Sequence, residues 1–280
     1  MAFSEHPRFV VIGGGKMGEA IVGGLIGADE GAAATLSASD FTVADPGEER
    51  RAHLAAQFGV ECIADGSEAQ GTDVVILAVK PQVMMDVLAG ISAVAAYQGG
   101  ERGPLFISIA AGLPTSALEA ALPAGSRLVR VMPNTLIKSG NGYSAACVNP
   151  NIDEEDKKLI TAVLNALDQT MYVTEDMFET FTAFCCTGLI WLYKTVEALV
   201  DAGVYAGFSR MESRNMVIKN MLGVAQVLDN TGAYPAKQVD DMTSPGGVTI
   251  EALQVLQQKG FAGTLMSSVD AAVKKANSIH

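Results

Sequence analysis

Histidine is almost missing from this chain: of 280 residues, only His6, His53 and His280 carry an imidazole. None lies in a motif, so a dehydrogenation that relies on a histidine base poised near neutral pH has no candidate. If a hydride moves here, its acceptor should need little acid help. A protonated imine meets that condition, because it already carries the positive charge that hydride neutralises. The four cysteines, at 62, 147, 185 and 186, show no C-x-x-C spacing and no neighbouring histidine, so no metal site is expected. Cys185 and Cys186 read as small core residues of an apolar helix. Basic residues are scarce too: 19 Lys and Arg face 31 Asp and Glu, a net charge of −12, which argues against sequence-independent nucleic-acid binding. Long uncharged runs are missing. The longest, Gly103–Leu118, has 16 residues interrupted by Pro104 and Pro114, short of the roughly 20 a membrane-spanning helix needs. Although mean hydropathy is +0.26, the chain is therefore expected to be soluble. No basic stretch followed by an apolar run opens it, so no signal peptide is visible and a reducing cytoplasm is the expected compartment.

What is present is ample apolar material, 49% hydrophobic against 18% charged, in a length suited to more than one ordinary domain. Phe9–Ile12, Phe41–Ala44, Val74–Val79 and Leu105–Ile109 are short apolar runs bounded by Gly, Pro or Asp. Such continuous apolarity predicts strands covered on both faces, as in a parallel sheet. Helical patterns lie between them at Met17–Ile26, Glu48–Phe58 and, more loosely, Pro81 to Ala96. Leu128–Met132 and Met171–Val173 complete the predicted sheet, with a helix over Asp153–Asp168 between them. The alternation implies a Rossmann-type, doubly wound α/β domain over residues 1–175. Beyond it the strand signals stop. Phe178–Val204 is apolar around most of its circumference and must be enclosed by protein; some 105 residues of helix cannot easily hide it alone, which predicts a subunit interface. A helix opens at Ser209 with Glu212 in capping-box spacing, and two more are predicted over Thr249–Gln258 and Gly263–Ala276. Residues 176–280 thus read as an all-helical domain.

Gly13-Gly14-Gly15-Lys16-Met17-Gly18 follows the first strand and opens the first helix. This is G-x-G-x-x-G in the context that gives it meaning. Gly13 permits the tight turn, Gly15 lets a pyrophosphate approach the backbone, and Gly18 lets the helix pack close, with the phosphates held at the helix N-terminus. Glu19 follows Gly18, so the loop is not a Walker A motif. Lys16 either faces solvent or reaches a phosphate. Asp45, ending the second strand, either accepts the adenosine ribose hydroxyls, favouring NADH, or caps the helix that Pro46 and Glu48 begin. Arg50 and Arg51 could instead hold a 2′-phosphate, so NADH and NADPH both remain open. Ala78-Val79-Lys80-Pro81 and Ser108-Ile109-Ala110-Ala111-Gly112 end strands at the ligand-binding edge of the sheet. Ser244-Pro245-Gly246-Gly247-Val248-Thr249 precedes a helix in the second half. It forms either a concavity of N–H groups suited to a carboxylate or an ordinary turn capped by Ser or Thr.

With these blocks in view, the chain resembles the Δ1-pyrroline-5-carboxylate reductases, the last enzymes of proline biosynthesis. The likeness rests on GGGKMG at 13–18, AVKP at 78–81, SIAAG at 108–112, RVMPNT at 130–135, DAGV at 201–204 and SPGGVT at 244–249, in order over nearly the whole length. The resemblance implies a Rossmann domain followed by an all-helical dimerisation domain, with dimers assembled into larger rings. It implies NADH or NADPH bound by Gly13, Gly15, Lys16, Met17, Gly18, Ala78, Val79, Lys80, Pro81, Ala110 and Ala111, to which Asp45 is added as the ribose candidate read from its place at the end of the second strand. It also implies that Ser244, Gly246, Gly247 and Val248 receive the substrate carboxylate, with Thr249 beside the ring nitrogen as the catalytic contact. One segment departs. Where the family usually carries S-G-S-G-P-A-Y, this chain has Cys185-Cys186-Thr187-Gly188-Leu189-Ile190-Trp191, Thr187 standing for a substrate-side Ser. Two alternatives follow: a paralogous reductase of another cyclic imine or a keto acid, and a non-catalytic dinucleotide-binding sensor.

Overall fold

The computed structural model describes residues 7–27, 36–69, 71–94, 97, 103–136, 141–167 and 169–278. His6, His280, the last residues of the helix expected to reach Ala96, and Asp168 lie outside the described residues. The chain divides into two compact units, Met1–Thr182 with Ala276–His280, and Ala183–Lys275.

In the first unit, eight strands form one sheet: β1 (Phe9–Ile12), β2 (Phe41–Ala44), β3 (Glu61–Ile63), β4 (Val74–Leu77), β5 (Leu105–Ser108), β6 (Arg127–Pro133), β7 (Tyr143–Val148) and β8 (Gln169–Tyr172). Their order is β3-β2-β1-β4-β5-β6-β7-β8. Pairing is parallel from β3 to β6, turns antiparallel at β7, and is parallel again between β7 and β8. The continuous apolar runs are explained by the pleat, since neighbouring side chains leave opposite faces. Phe9, Val11, Phe41, Val43 and Ile76 pack with α1 (Lys16–Ile26) and α2 (Glu48–Phe58) on one side, joined there by α5 (Glu154–Asn165). Val10, Ile12, Val75, Leu77 and Phe106 pack on the other with α3 (Pro81–Ser92) and α4 (Thr115–Ala121). Both faces are covered, as the doubly wound reading expects. The chain crosses from one side of β1 to the other after β3, so the carboxyl ends of β1 and β4 splay apart around a crevice.

The second unit is helical: α7 (Leu189–Tyr205), α8 (Arg210–Thr231), α9 (Pro235–Asp241), α10 (Val248–Gln258) and most of α11 (Phe261–Ala276). Ser209 caps α8 and forms the expected box with Glu212. Gly203 packs against Ser213, where an added Cβ would stand 2.8 Å from Ser213 Cβ, so α7 and α8 approach closely. The apolar stretch expected as one helix from Phe178 is interrupted. A short α6 (Glu175–Phe181) leads into a π turn at Thr182–Cys186, and α7 begins after Gly188, whose Cβ would overlap the Phe184 carbonyl. The second unit has little interior of its own, with Ala183, Gly188, Val200 and Ser213 its buried residues. Leu192, Met211, Leu222 and Val224 stand exposed. The helical run Glu175–Tyr205 is long and apolar enough, by length and composition, to cross a membrane. Counting uncharged stretches missed it because Glu179 and Lys194 are isolated charges within an otherwise apolar run.

Candidate active site: a glycine-turn cleft and a Ser-Pro-Gly-Gly helix start

β1 delivers the chain into the glycine turn at the switch point. Gly13 has φ +107°, a region that suits glycine, and a Cβ there would stand 2.7 Å from the Ala78 carbonyl oxygen. Its N–H donates to the Ala44 carbonyl at 2.8 Å, while the Ala78 N–H donates to Ile12 at 2.8 Å, so the turn is seated between β2 and β4. Gly18 packs on Gly13, where a Cβ would overlap the Gly13 carbonyl oxygen. Gly15 differs: nothing lies within 4 Å of the place its Cβ would take. It is the N-cap of α1 and no side chain caps that end, so the first-turn N–H groups have no intrahelical partner. A loop closed on its protein side and open at a helix N-terminus is what a pyrophosphate needs, so the residues fit a dinucleotide.

The crevice in front of this turn has a volume of about 610 Å³ and is lined by Gly13, Gly15, Asp45, Ala78, Val79 and Lys80 among others. The remaining expected nucleotide residues are placed around it. Lys16 is exposed at the start of α1, Met17 is half-buried against the core, and Pro81 is the first residue of α3 with Lys80 as its N-cap. Ala110 is buried and Ala111 exposed beyond the end of β5, and neither lines this crevice.

Asp45 settles one open question of local structure. It does not cap α2: Gly47 is the N-cap, and the helix starts at Glu48. Its carboxylate instead braces the turn, Oδ2 accepting the Gly14 N–H and Oδ1 the Gly47 N–H, each at 2.9 Å. Arg50 is likewise committed. Its guanidinium donates to the Gly14 carbonyl, to the Gly15 carbonyl at 3.3 Å, and to Glu19. The Arg50 hydrogen bond is the largest influence on Glu19, holding its carboxyl below the usual range, and His53 adds to it against the opposing effect of burial. Arg51 donates to the Asp45 carbonyl at 2.7 Å.

A further wall of the crevice, Ala64-Asp65-Gly66, had no part in the sequence reading. Asp65 caps a short 3-10 turn and pairs reciprocally with Glu68. The Ser67 N–H bond holds its carboxyl below the usual range. Buried Tyr97 donates its hydroxyl to the Gly66 carbonyl at 2.5 Å, and burial pushes that phenol up to about 12, so it remains a donor. The Asp65–Glu68 spacing is itself a capping box, the one signal that marked this wall.

In the helical unit, Ser244–Thr249 forms a tight turn closed by the Gly247 N–H on the Ser244 carbonyl at 3.0 Å. Gly246 has φ +65°. The backbone therefore favours glycine at 246, and a Cβ on Gly247 would displace the Ser244 hydroxyl. Gly247 is the N-cap of α10, and no Ser or Thr side chain caps that helix. Val248 and Thr249 are exposed. Thr187 is exposed between the π turn and α7, accepting the Ile190 N–H at 3.0 Å. Trp191 donates its indole N–H to Ser268 Oγ at 2.8 Å. Cys147 offers no thiolate, since burial pushes it up to about 11. Among the described residues, no group of three or more His, Cys, Asp or Glu side chains is placed to hold a metal ion.

Comparison with known proteins agrees with this layout. The family model described as pyrroline-5-carboxylate reductase dimerisation matches residues 175–279, and one described as NADP oxidoreductase, coenzyme F420-dependent, matches residues 8–112. A pyrroline-5-carboxylate reductase of Synechocystis is 32% identical over 270 residues, covering 96% of this chain and 97% of that one. Its Glycine max counterpart is 32% identical over 269 residues, covering 96% and 94%. Among solved structures, a pyrroline-5-carboxylate reductase from Coxiella burnetii superposes with TM-score 0.88 at 27% identity, over 98% of both chains. The pyrroline carboxylate reductase of Plasmodium falciparum, solved with NADP bound, does so with TM-score 0.81 at 27% identity, over 98% of both chains. With relatives at this identity spanning both units, the chain belongs to the pyrroline-5-carboxylate reductase family.

Proposed function

We propose that this chain reduces 1-pyrroline-5-carboxylate to L-proline with NADH or NADPH as the reductant. The observation that carries the reading is the glycine turn, closed by β4 on one side and open at Gly15 on the other, in a family member whose relatives bear that name over 96% of its length. When bound, the reduced nicotinamide supplies the hydride. At the substrate, the iminium carbon (C2 of the pyrroline ring, which becomes C5 of proline) gains that hydride, the C=N π pair goes to nitrogen, and the nitrogen keeps its proton. No histidine is required, in keeping with a chain that has three.

The chain's own residues bind and orient. Gly13, Gly15, Lys16, Met17 and Gly18 form the diphosphate cradle. Asp45 fixes the turn toward the adenosine ribose, and Ala78–Pro81 with Ala110 and Ala111 flank the reactive half. In the helical unit, the uncapped start of α10, with Gly246, Gly247, Val248 and Ser244, takes the substrate carboxylate. Thr249 hydrogen-bonds the ring nitrogen, and Thr187 lines the substrate side. Most of the acceleration comes from holding two partners in reacting geometry. Residues 1–175 carry the nucleotide. Residues 176–280 pair with a second copy through the exposed apolar faces of α7 and α8, and dimers join into a ring. We place the enzyme in the cytoplasm, with that apolar surface meeting protein.

Purified protein should oxidise NADH or NADPH only when pyrroline-carboxylate is added. Thr249→Val should lower kcat by about 10²-fold, and Thr249→Ser should recover most of it. Nucleotide binding without turnover would overturn the assignment. A second reading rests on Trp191, tied to Ser268 where the family usually has Tyr. An imine of larger ring that turned over faster than the five-membered one would support it.

A further inference from the structure

The turn between β2 and α2 faces the crevice where a doubly wound sheet receives the adenosine ribose of a dinucleotide. Its donors can be counted. The Asp45 N–H is spent on the Ile63 carbonyl at 3.1 Å, Pro46 has none, and the Gly47 N–H is spent on Asp45 Oδ1 at 2.9 Å. The two arginines that follow have their donors engaged: Arg50 by Glu19 and the glycine-turn carbonyls, and Arg51 by the Asp45 carbonyl. The charges nearby are acidic. Asp45 and Asp65 both line the crevice, and Glu48 and Glu49 occupy the first turn of α2. The acids at the start of α2 also offset the positive end of its dipole, which would otherwise welcome an anion. Lys80, the basic residue in the crevice lining, sits across it at the end of β4.

We infer that the β2–α2 turn rejects a 2′-phosphate, so that this enzyme takes NADH in preference to NADPH, with Asp45 and the Glu19-held Arg50 as the specificity-determining pair. Both Asp45 oxygens accept one N–H each, which leaves lone pairs for ribose hydroxyls but only repulsion for a phosphate. An Arg50 released from Glu19 could reach and pair with a phosphate bidentately; as held, its donors go to carbonyls and carboxylate. The inference rests on the dinucleotide reading of the crevice given above.

Calorimetric titration of the full-length protein with NADH and with NADPH, without substrate, tests it apart from turnover. NADPH should bind at least about tenfold more weakly, equivalent to about 1.4 kcal/mol. Adding ADP and 2′,5′-ADP as probes confines the comparison to the 2′-phosphate. Asp45→Asn removes a charge at the turn, and Glu48→Gln with Glu49→Gln removes two charges that make no hydrogen bond there. Either change should narrow the gap several-fold, mainly by tightening NADPH. Equal binding of the two nucleotides, or tighter binding of NADPH, by the unaltered protein overturns the inference while leaving the crevice assignment intact. An unchanged gap in both charge-removing variants overturns its attribution to this turn. Failure of both nucleotides to bind overturns the crevice assignment itself, and the inference with it.

Discussion

Gly15 and Gly18 of the turn do different jobs, and single alanine substitutions separate them. At Gly18, a new methyl would overlap the Gly13 carbonyl oxygen and lie 3.5 Å from Val11 Cγ1, so turn and helix must part. Overpacking of this kind costs about 1–3 kcal/mol, partly offset by about 1 kcal/mol of better helix propensity. Gly15 has no such conflict. Its φ of −62° suits any residue and its Cβ would point into open space. Losing glycine at an N-cap costs roughly 0.5–1 kcal/mol, and the reduced freedom of the unfolded chain returns about 0.4–1 kcal/mol. Gly15→Ala should therefore melt within a degree or two of the parent, whereas Gly18→Ala should melt lower by up to about 8 °C, at roughly 2–4 °C per kcal/mol. Nucleotide affinity should nonetheless fall at least about tenfold in Gly15→Ala, because the methyl occupies the approach of the pyrophosphate. Thermal melts and calorimetric titration of the same preparations decide the matter. A Gly15→Ala protein that binds nucleotide normally, or one that melts as low as Gly18→Ala, would refute this division of labour.

Arg130, buried on β6, stacks its guanidinium 4.0 Å from the Phe178 ring centre and pairs with Glu175 and Glu179. Arg130→Ala leaves those carboxylates uncompensated and should cost about 3–5 kcal/mol in urea denaturation. Burial raises the Glu175 carboxyl, but the two hydrogen bonds from Thr115 and the charge of Arg130 outweigh it, and the net direction is below its ordinary 4.5. A depressed carboxyl stabilises above its unfolded value, so this contribution is complete above about pH 4.5 and is lost as pH falls through the folded value. Acid melts should weaken in that window, and Thr115→Val should shrink the effect. Tyr97→Phe deletes the bond to Gly66 and should cost about 1–2 kcal/mol. The same change should raise the KM for nucleotide several-fold with little change in kcat, a split that distinguishes loss of positioning at the crevice wall from simple destabilisation.

The elements readable from sequence were those whose apolar pattern is strong on its own. The runs Phe9–Ile12, Phe41–Ala44 and Glu48–Phe58 form over those same residues, because strands covered on both faces are largely apolar and α2 has glycine at both ends. β3 escaped because Glu61-Cys62-Ile63 owes its strand to pairing with β2. β7 escaped because its Ser, Ala and Cys side chains carry little hydrophobic signal, and its reversal of direction is a matter of which edge it reaches. Asp45 was legible as a candidate and lines the crevice, but its bonds to Gly14 and Gly47 were not, since one partner lies 31 residues away.

The amino-acid order alone settled the alternation of strand and helix, the placement of the glycine turn at the end of β1 and the family, since short-range periodicity and motif spacing are local properties. Only the folded chain decided that Arg50 is held by Glu19 and that Tyr97 props the Asp65–Gly66 wall. Each of these depends on segments distant in sequence meeting in the fold, which no local pattern encodes.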